Sequence, residues 1–139
     1  MTKQFLRTAY DLENQHQTHA LYKDWADSYD AEVGENGYSS PQRAALALAN
    51  CCDGQSQPLL DIGCGTGVSG QVFQAAGFDT LVGSDFSQDM LDKAATKNVY
   101  TALHLADLNA PFDFVDTPFA LMAAIGVLVW RKVEVFHCA

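Results

Sequence analysis

The sequence predicts an α/β fold, a mostly parallel sheet flanked by helices and left incomplete in its C-terminal half. Three observations carry this. From residue 58 onward, short apolar segments of strand length alternate with segments of helix length, which is the pattern of βαβ units with right-handed crossovers. The first apolar segment, Leu59-Leu-Asp-Ile62, runs straight into Gly63-Cys-Gly-Thr-Gly67 and then into a helical stretch. Two later segments end on an aspartate, Asp85 and Asp107.

The elements follow in order. Between His16 and Asp30, Tyr22, Trp25 and Tyr29 recur at i, i+3, i+7 and predict a helix with one aromatic face. A polar stretch with glycines, Glu32 to Ser40, separates it from a second helix. That helix takes Ser40 as cap and Pro41 as first residue, runs through Ala44-Ala-Leu-Ala-Leu-Ala49, and ends between Asn50 and Gly54. Leu59 to Ile62 is a buried strand, Gly63 to Gly67 a turn, and Val68 to Ala76 a helix stopped by Gly77. Thr80 to Gly83 is the second strand, and Ser87 caps a helix reaching about Lys97. Val99 to Ala106 is the third strand and Ala120 to Leu128 the fourth. The chain divides into an N-terminal helical cap, 1–57, and a βαβ core, 58–139, within one domain.

Composition narrows the function classes. The chain has 139 residues, 48% of them hydrophobic and 18% charged, enough for one core. A formal net charge of -9 repels phosphate backbones, so a small-molecule partner is expected and a nucleic acid is not. Cys51, Cys52, Cys64 and Cys138 form no Cys-x-x-Cys pair and read as reduced thiols of a cytoplasmic protein. The N-terminus lacks the apolar core of a secretion signal. The longest apolar run, Phe119 to Trp130, is too short to span a bilayer, so no membrane role is expected.

A strand that ends in a glycine turn and opens a helix is a ligand site by geometry. Ligands of open α/β sheets lie outside the carboxyl ends of the strands. Glycine permits positive φ and close approach, and the helix start offers unpaired N–H groups. Dinucleotide sites use Gly-x-Gly-x-x-Gly. Here Gly63 and Gly65 match, but Val68 fills the third slot and the glycine is Gly67. Asp85 follows Gly67 by 18 residues, where a carboxylate can accept both hydroxyls of a ribose. It also competes with Ser87 to cap the next helix. Asp107 taken alone reads as a turn aspartate before Asn109-Ala-Pro111.

Asp61-Ile-Gly-Cys-Gly-Thr-Gly67 resembles the first motif of class I S-adenosylmethionine-dependent methyltransferases. Gly83-Ser-Asp-Phe-Ser-Gln-Asp-Met-Leu91 is similar to the family's second-strand motif, and Ala106-Asp-Leu108 to its third. Tyr22-Lys-Asp-Trp-Ala-Asp-Ser-Tyr-Asp30 is similar to the N-terminal helix of the small-molecule branch, and Ile125-Gly-Val-Leu128 to the end of the fourth strand. The resemblance spans Tyr22 to Leu128 and implies a Rossmann-like sheet, S-adenosyl-L-methionine as cofactor, and methyl transfer to a small molecule. It implies roles as well. Asp85 would hold the ribose. Asp107 would receive the adenine amino group, and the Leu108 backbone N–H would meet a ring nitrogen. Phe86 and Met90 would flank the adenine. Gly63 and Gly65, with the Cys64 backbone between them, would make room for the methionine part. Asp61 would organise the loop and reach the ammonium through water. Tyr29 and Tyr38 would close over the ligand, and the backbone at Ile125 would face the methionine moiety. Methyl transfer from a sulfonium relies on in-line positioning more than on acid–base groups. No catalytic triad is expected, and none is present in the sequence.

The remaining polar and aromatic residues read as structural. Trp25 belongs to a core, and His16 and His19 to a solvated helix face. His104 lies in a strand. Cys64 has no histidine or base to activate it, and no residue set has metal-ligand spacing. The family's sheet has seven strands, and this chain supplies four by Leu128. Val133, Val135 and His137 alternate with Glu134, Phe136 and Cys138, enough for one short strand more. An apolar fourth strand with a bare side is expected to pair with a second copy of the chain, or the chain is a piece of a longer coding sequence. Two rival functions stand beside methyl transfer. One is a catalytically silent cofactor-binding or interaction protein. The other is a nicotinamide-dependent oxidoreductase, which Val68 argues against.

Overall fold

The computed structural model describes residues 39–52, 55–116 and 118–125. Their elements are α1 (Ser40–Cys51), β1 (Leu59–Ile62), α2 (Val68–Ala75), β2 (Leu81–Asp85), α3 (Gln88–Thr96), β3 (Ala102–Leu105) and β4 (Leu121–Ala124). The four strands form one sheet in the order β3-β2-β1-β4, every pair parallel. From β1 the chain builds outward through β2 to β3, then returns to lay β4 on the other side of β1. The strand order therefore reverses between β1 and β4, where open α/β sheets place their ligands. Register puts Asp61 between Gly83 and Ala123, and Ile62 between Ser84 and Ala124. The glycine turn after β1 thus emerges beside the ends of both neighbours.

The core lies between the sheet and its helices. Leu59, Leu81 and Ala123 from the strands meet Phe73 of α2, Ala45 of α1, Phe78 and Val99 in one buried cluster. A second cluster joins Cys64 to Leu91 and Ala94 of α3, with Tyr100 and Leu103 against it. The Tyr100 ring packs against both clusters.

Helix ends follow local chemistry. Gly77, at φ 99°, reverses the chain after α2. The Gly77 N–H donates to Gln74 O at 3.0 Å and the Phe78 N–H to Phe73 O at 3.1 Å, a Schellman pair. The accompanying apolar contact is the edge-to-face packing of Phe73 on Phe78, with centroids 6.0 Å apart. Asn98 ends α3 in the same way at φ 54°, one of the few non-glycine residues that tolerate this region. Ser87 caps α3 as expected, accepting from the Met90 N–H at 3.4 Å.

Several boundaries differ from expectation. The residue capping α1 is Ser39 rather than Ser40, and its side chain makes no cap bond. The helix opens one residue early because the Arg43 N–H already reaches Ser39 O at 3.2 Å. β2 runs to Asp85, two residues beyond Gly83, because the Ala106 N–H continues the ladder onto Asp85 O at 2.9 Å. β3 begins at Ala102, not Val99. Val99 is taken into the core and Tyr100 turns toward Asp61, so the chain joins the ladder only where the Thr101 N–H meets Leu81 O at 2.8 Å. β4 spans Leu121–Ala124, and the expected continuation to Leu128 lies outside the described residues. So do Tyr22, Trp25, Tyr29, Tyr38, His16, His19 and Cys138. Among the described residues β4 is a sheet edge, with Met122 58% exposed. No helix there is long and apolar enough to cross a membrane, and no group of side chains there has the makings of a metal site.

Candidate functional site

The glycine turn is built from three left-handed residues. Gly63, Gly65 and Gly67 have φ of 67°, 55° and 90°, a region that β-carbon-bearing residues rarely enter. Each end of the turn is tied down. The Cys64 N–H donates to Ser84 O at 2.9 Å, and the Gly67 N–H closes back on Cys64 O at 3.0 Å. The Lys97 ammonium, from the end of α3, donates to Thr66 O.

Asp85 couples this turn to the next helix. Its Oδ2 accepts from the Gly65 N–H at 2.9 Å, and its Oδ1 from the Ser87 N–H at 3.0 Å. The side chain that caps α3 is therefore Ser87, and the Asp85 carboxylate braces the glycine turn. That division of labour settles the competition between the two for the cap.

Asp61 lies behind the turn, 1% exposed. Its Oδ2 accepts from Ser69 Oγ at 2.6 Å and from the Tyr100 hydroxyl at 2.7 Å. Its Oδ1 is buried and has no hydrogen-bond partner among the described residues, an unusual condition for a carboxylate oxygen inside a protein. Burial pushes the Asp61 pKa up to about 6, helped by the charge of Asp85, while the bonds from Ser69 and Tyr100 hold it down. The same burial, with the charge of Asp61 next, drives the Tyr100 hydroxyl and the Cys64 thiol far above their usual ranges.

Tyr100 is the residue that sequence reasoning missed. A β-carbon at Gly70 would stand 2.4 Å from its Cζ and hydroxyl oxygen; at Gly83 one would stand 3.1 Å from Cδ1, and at Gly67 3.3 Å from Cε2. Gly70 thus clears the ring, while at Gly83 Leu103 Cδ2 and Cys64 Sγ would stand nearer still, at 2.7 and 3.0 Å. The signal was present: Gly70 sits inside a helix and Gly83 inside a strand, where glycine costs stability unless something must approach closely.

A family profile describing a methyltransferase domain matches residues 59–138. The chain belongs to this methyltransferase family. Human methyltransferase-like protein 27 is 31% identical over 126 residues, 88% of this chain and 51% of that protein. The probable 18S rRNA (guanine-N(7))-methyltransferase of Dictyostelium discoideum is 40% identical over 85 residues, 61% of this chain and 29% of that one. Among solved structures, DesVI of Streptomyces venezuelae superposes with a TM-score of 0.57 at 25% identity, covering 71% of this chain and 42% of DesVI. The chain spans about half the length of the human relative and less than a third of the Dictyostelium one. The order 3-2-1-4 and the flanking helices are the Rossmann-like methyltransferase architecture that the motifs imply.

The structure distributes the other motif residues of this methyltransferase domain as follows. Phe86 is half-buried directly after β2, and Met90 is 0% exposed in α3. Asp107 is exposed beyond β3, its Oδ1 accepting from the Asn109 N–H at 2.9 Å and from Asn109 Nδ2 at 3.1 Å, and Leu108 is half-buried in that turn. Ile125 follows β4 and packs against the main core cluster. Gly63, Cys64, Gly65, Asp61 and Asp85 form one connected group at the strand ends. Tyr29 lies outside the described residues. His104 stacks on Phe114 at 4.1 Å, a packing role.

Cys51, Cys52 and Cys64 are free thiols, with Cys51 exposed and Cys64 buried. Iodoacetamide at pH 8 is expected to alkylate Cys51 in the native chain and to spare Cys64, because the reactive species is the thiolate. Peptide mass spectrometry reads both sites. Equal rates at the two would show that the glycine turn opens freely.

Proposed function

We propose that the chain is the cofactor-binding part of an S-adenosyl-L-methionine-dependent methyltransferase, and that the glycine turn with Asp61 and Asp85 holds that cofactor. The observation that carries this is a turn of three left-handed glycines at the strand-order reversal, braced by one carboxylate and backed by another whose Oδ1 has no partner among the described residues. These features suit the group. The bare turn lets a ligand approach the backbone, and an unpartnered acceptor suits an ammonium. Bound S-adenosyl-L-methionine supplies a methyl group on a sulfonium sulfur. Asp85 would meet the ribose, Asp107 and the Leu108 N–H the adenine, with Phe86 and Met90 beside it. Gly63, Cys64, Gly65 and the backbone at Ile125 would surround the methionine part, with Tyr29 closing from residues 1–57. The protein's contribution to the chemistry is to bind, align and exclude water.

For the acceptor we favour a small molecule, on the strength of the net charge of -9. A nucleic-acid acceptor is the second reading, supported by the identity to a probable rRNA methyltransferase. Charge alone does not decide between the two acceptors. Two further readings complete the picture. The free thiols fit a cytoplasmic location, and the β4 edge fits pairing with a second copy, which a monomer in light scattering would refute.

The test is calorimetric titration of S-adenosylhomocysteine into the purified chain. Binding is expected, and Asp85→Ala is expected to weaken it at least about tenfold, since the variant loses the acceptor that positions the Gly65 and Ser87 N–H groups. A folded chain that shows no binding would leave the silent interaction protein as the better reading. If binding holds, transfer of labelled methyl to a small-molecule extract or to rRNA decides the acceptor.

A further inference from the structure

We propose that Tyr100 is a positioning residue for the amino-acid end of the cofactor. Its hydroxyl and that of Ser69 both donate to Oδ2 of Asp61, which leaves Oδ1 as the acceptor for the cofactor's ammonium group or for a water bridging to it. The inference rests on the cofactor reading above and adds a residue that no sequence motif marks.

The geometry is one-sided. An ionised carboxylate offers acceptor positions on both oxygens. Here two protein donors crowd onto Oδ2, at 2.6 and 2.7 Å, while Oδ1 is buried and has no partner among the described residues. A buried acceptor is left unmade only at a cost. The Tyr100 ring packs against both core clusters, which fixes its position. Gly70 of α2 leaves out the side chain that would collide with its ring, and Gly83 of β2 and Gly67 of the turn lie close against the same ring. With the ring fixed, its hydroxyl stays on the oxygen that Ser69 also holds.

The arrangement has a pH signature. The groups facing Asp61 are Ser69 from α2, Tyr100 from the approach to β3, Asp85 from β2 and Cys64 from the turn. Tyr100 and Cys64 stay neutral across the working range, and the charge of Asp85 opposes ionisation. Ionised Asp61 attracts an ammonium; protonated Asp61 does not. Ser69 and Tyr100 both favour the ionised form, so the two hydroxyls together set how far down in pH the site keeps its charge.

The experiment is titration of S-adenosylhomocysteine into the full chain from pH 5 to 9, with wild type, Tyr100→Phe and Ser69→Ala, each checked by circular dichroism. Wild-type affinity is expected to fall below about pH 6. For Tyr100→Phe the midpoint is expected near about pH 7, which makes binding about fivefold weaker at pH 6 and less than about twofold weaker at pH 8.5. A merely structural tyrosine would lower affinity alike at every pH. If Tyr100→Phe does not fold, Ser69→Ala decides: an upward midpoint supports the inference and an unchanged one overturns it. Unchanged midpoints in both variants overturn it while leaving the cofactor reading intact. Absence of binding by the wild type removes the cofactor reading and this inference together.

Discussion

Asp61→Asn is expected to stabilise the chain at neutral pH while weakening its cofactor binding about 10- to 100-fold, the worth of a charge-assisted hydrogen bond. The two effects share one cause. The folded pKa of about 6 lies above the ordinary 3.8, so the folded state holds the proton more tightly than the unfolded chain does. The stability this contributes is fully present below about pH 3.8 and is lost as pH rises through about 6. Above that, the ionised carboxylate opposes folding by about 3 kcal/mol, taking about 1.4 kcal/mol per pH unit between the two values. Asparagine removes the charge but leaves an amide N–H without an acceptor where Oδ1 stood. A net gain of about 1–2 kcal/mol at pH 8 remains. Urea unfolding at pH 8 and at pH 4 measures it. The gain should shrink or vanish at pH 4, where wild-type Asp61 is largely protonated. A variant less stable than wild type at pH 8 would show that the buried charge is better satisfied than its geometry indicates.

Gly70→Ala is expected to destabilise the chain by about 2–4 kcal/mol, although alanine is the better helix former by about 1 kcal/mol. The added β-carbon would lie 2.4 Å from both Cζ and the hydroxyl oxygen of Tyr100 and 2.9 Å from Cε2. These are atoms of a rigid ring, pinned by its bond to Asp61 and pressed between Gly67 and Gly83. To relieve the clash the ring must move, and Asp61 then loses one of its two donors. In a Tyr100→Ala background the same substitution should be neutral or favourable, because the obstacle is gone and only the helix preference remains. Unfolding of the four proteins in urea gives the coupling. Additive effects of the two substitutions would mean that helix and ring are not in contact as described.

Much of this domain is legible in its residues. Alternation of apolar segments with helical ones yields the parallel sheet, because strand length and helix period are local properties. The glycine turn is equally local: Gly63, Gly65 and Gly67 do take positive φ. Ser87 caps α3 and Gly77 ends α2 for reasons contained within six residues. Strand ends were less legible. β2 continues to Asp85 and β3 starts late at Ala102 because ladder bonds come from neighbouring strands, which no window of sequence contains.

The sequence by itself determined the order of the elements, the turn and the two acidic residues nearest to it, since each follows from short-range preference or from a contiguous motif. Only the tertiary structure decided what those residues touch. It set Tyr100 and Ser69 on one oxygen of Asp61, turned Asp85 onto the Gly65 N–H, and brought Gly67, Gly70 and Gly83 around a single ring. The physical reason is that hydrogen bonds and steric exclusion act through space. Residues 39 positions apart, as Asp61 and Tyr100 are, meet only after β1, β2 and β3 have paired into one sheet.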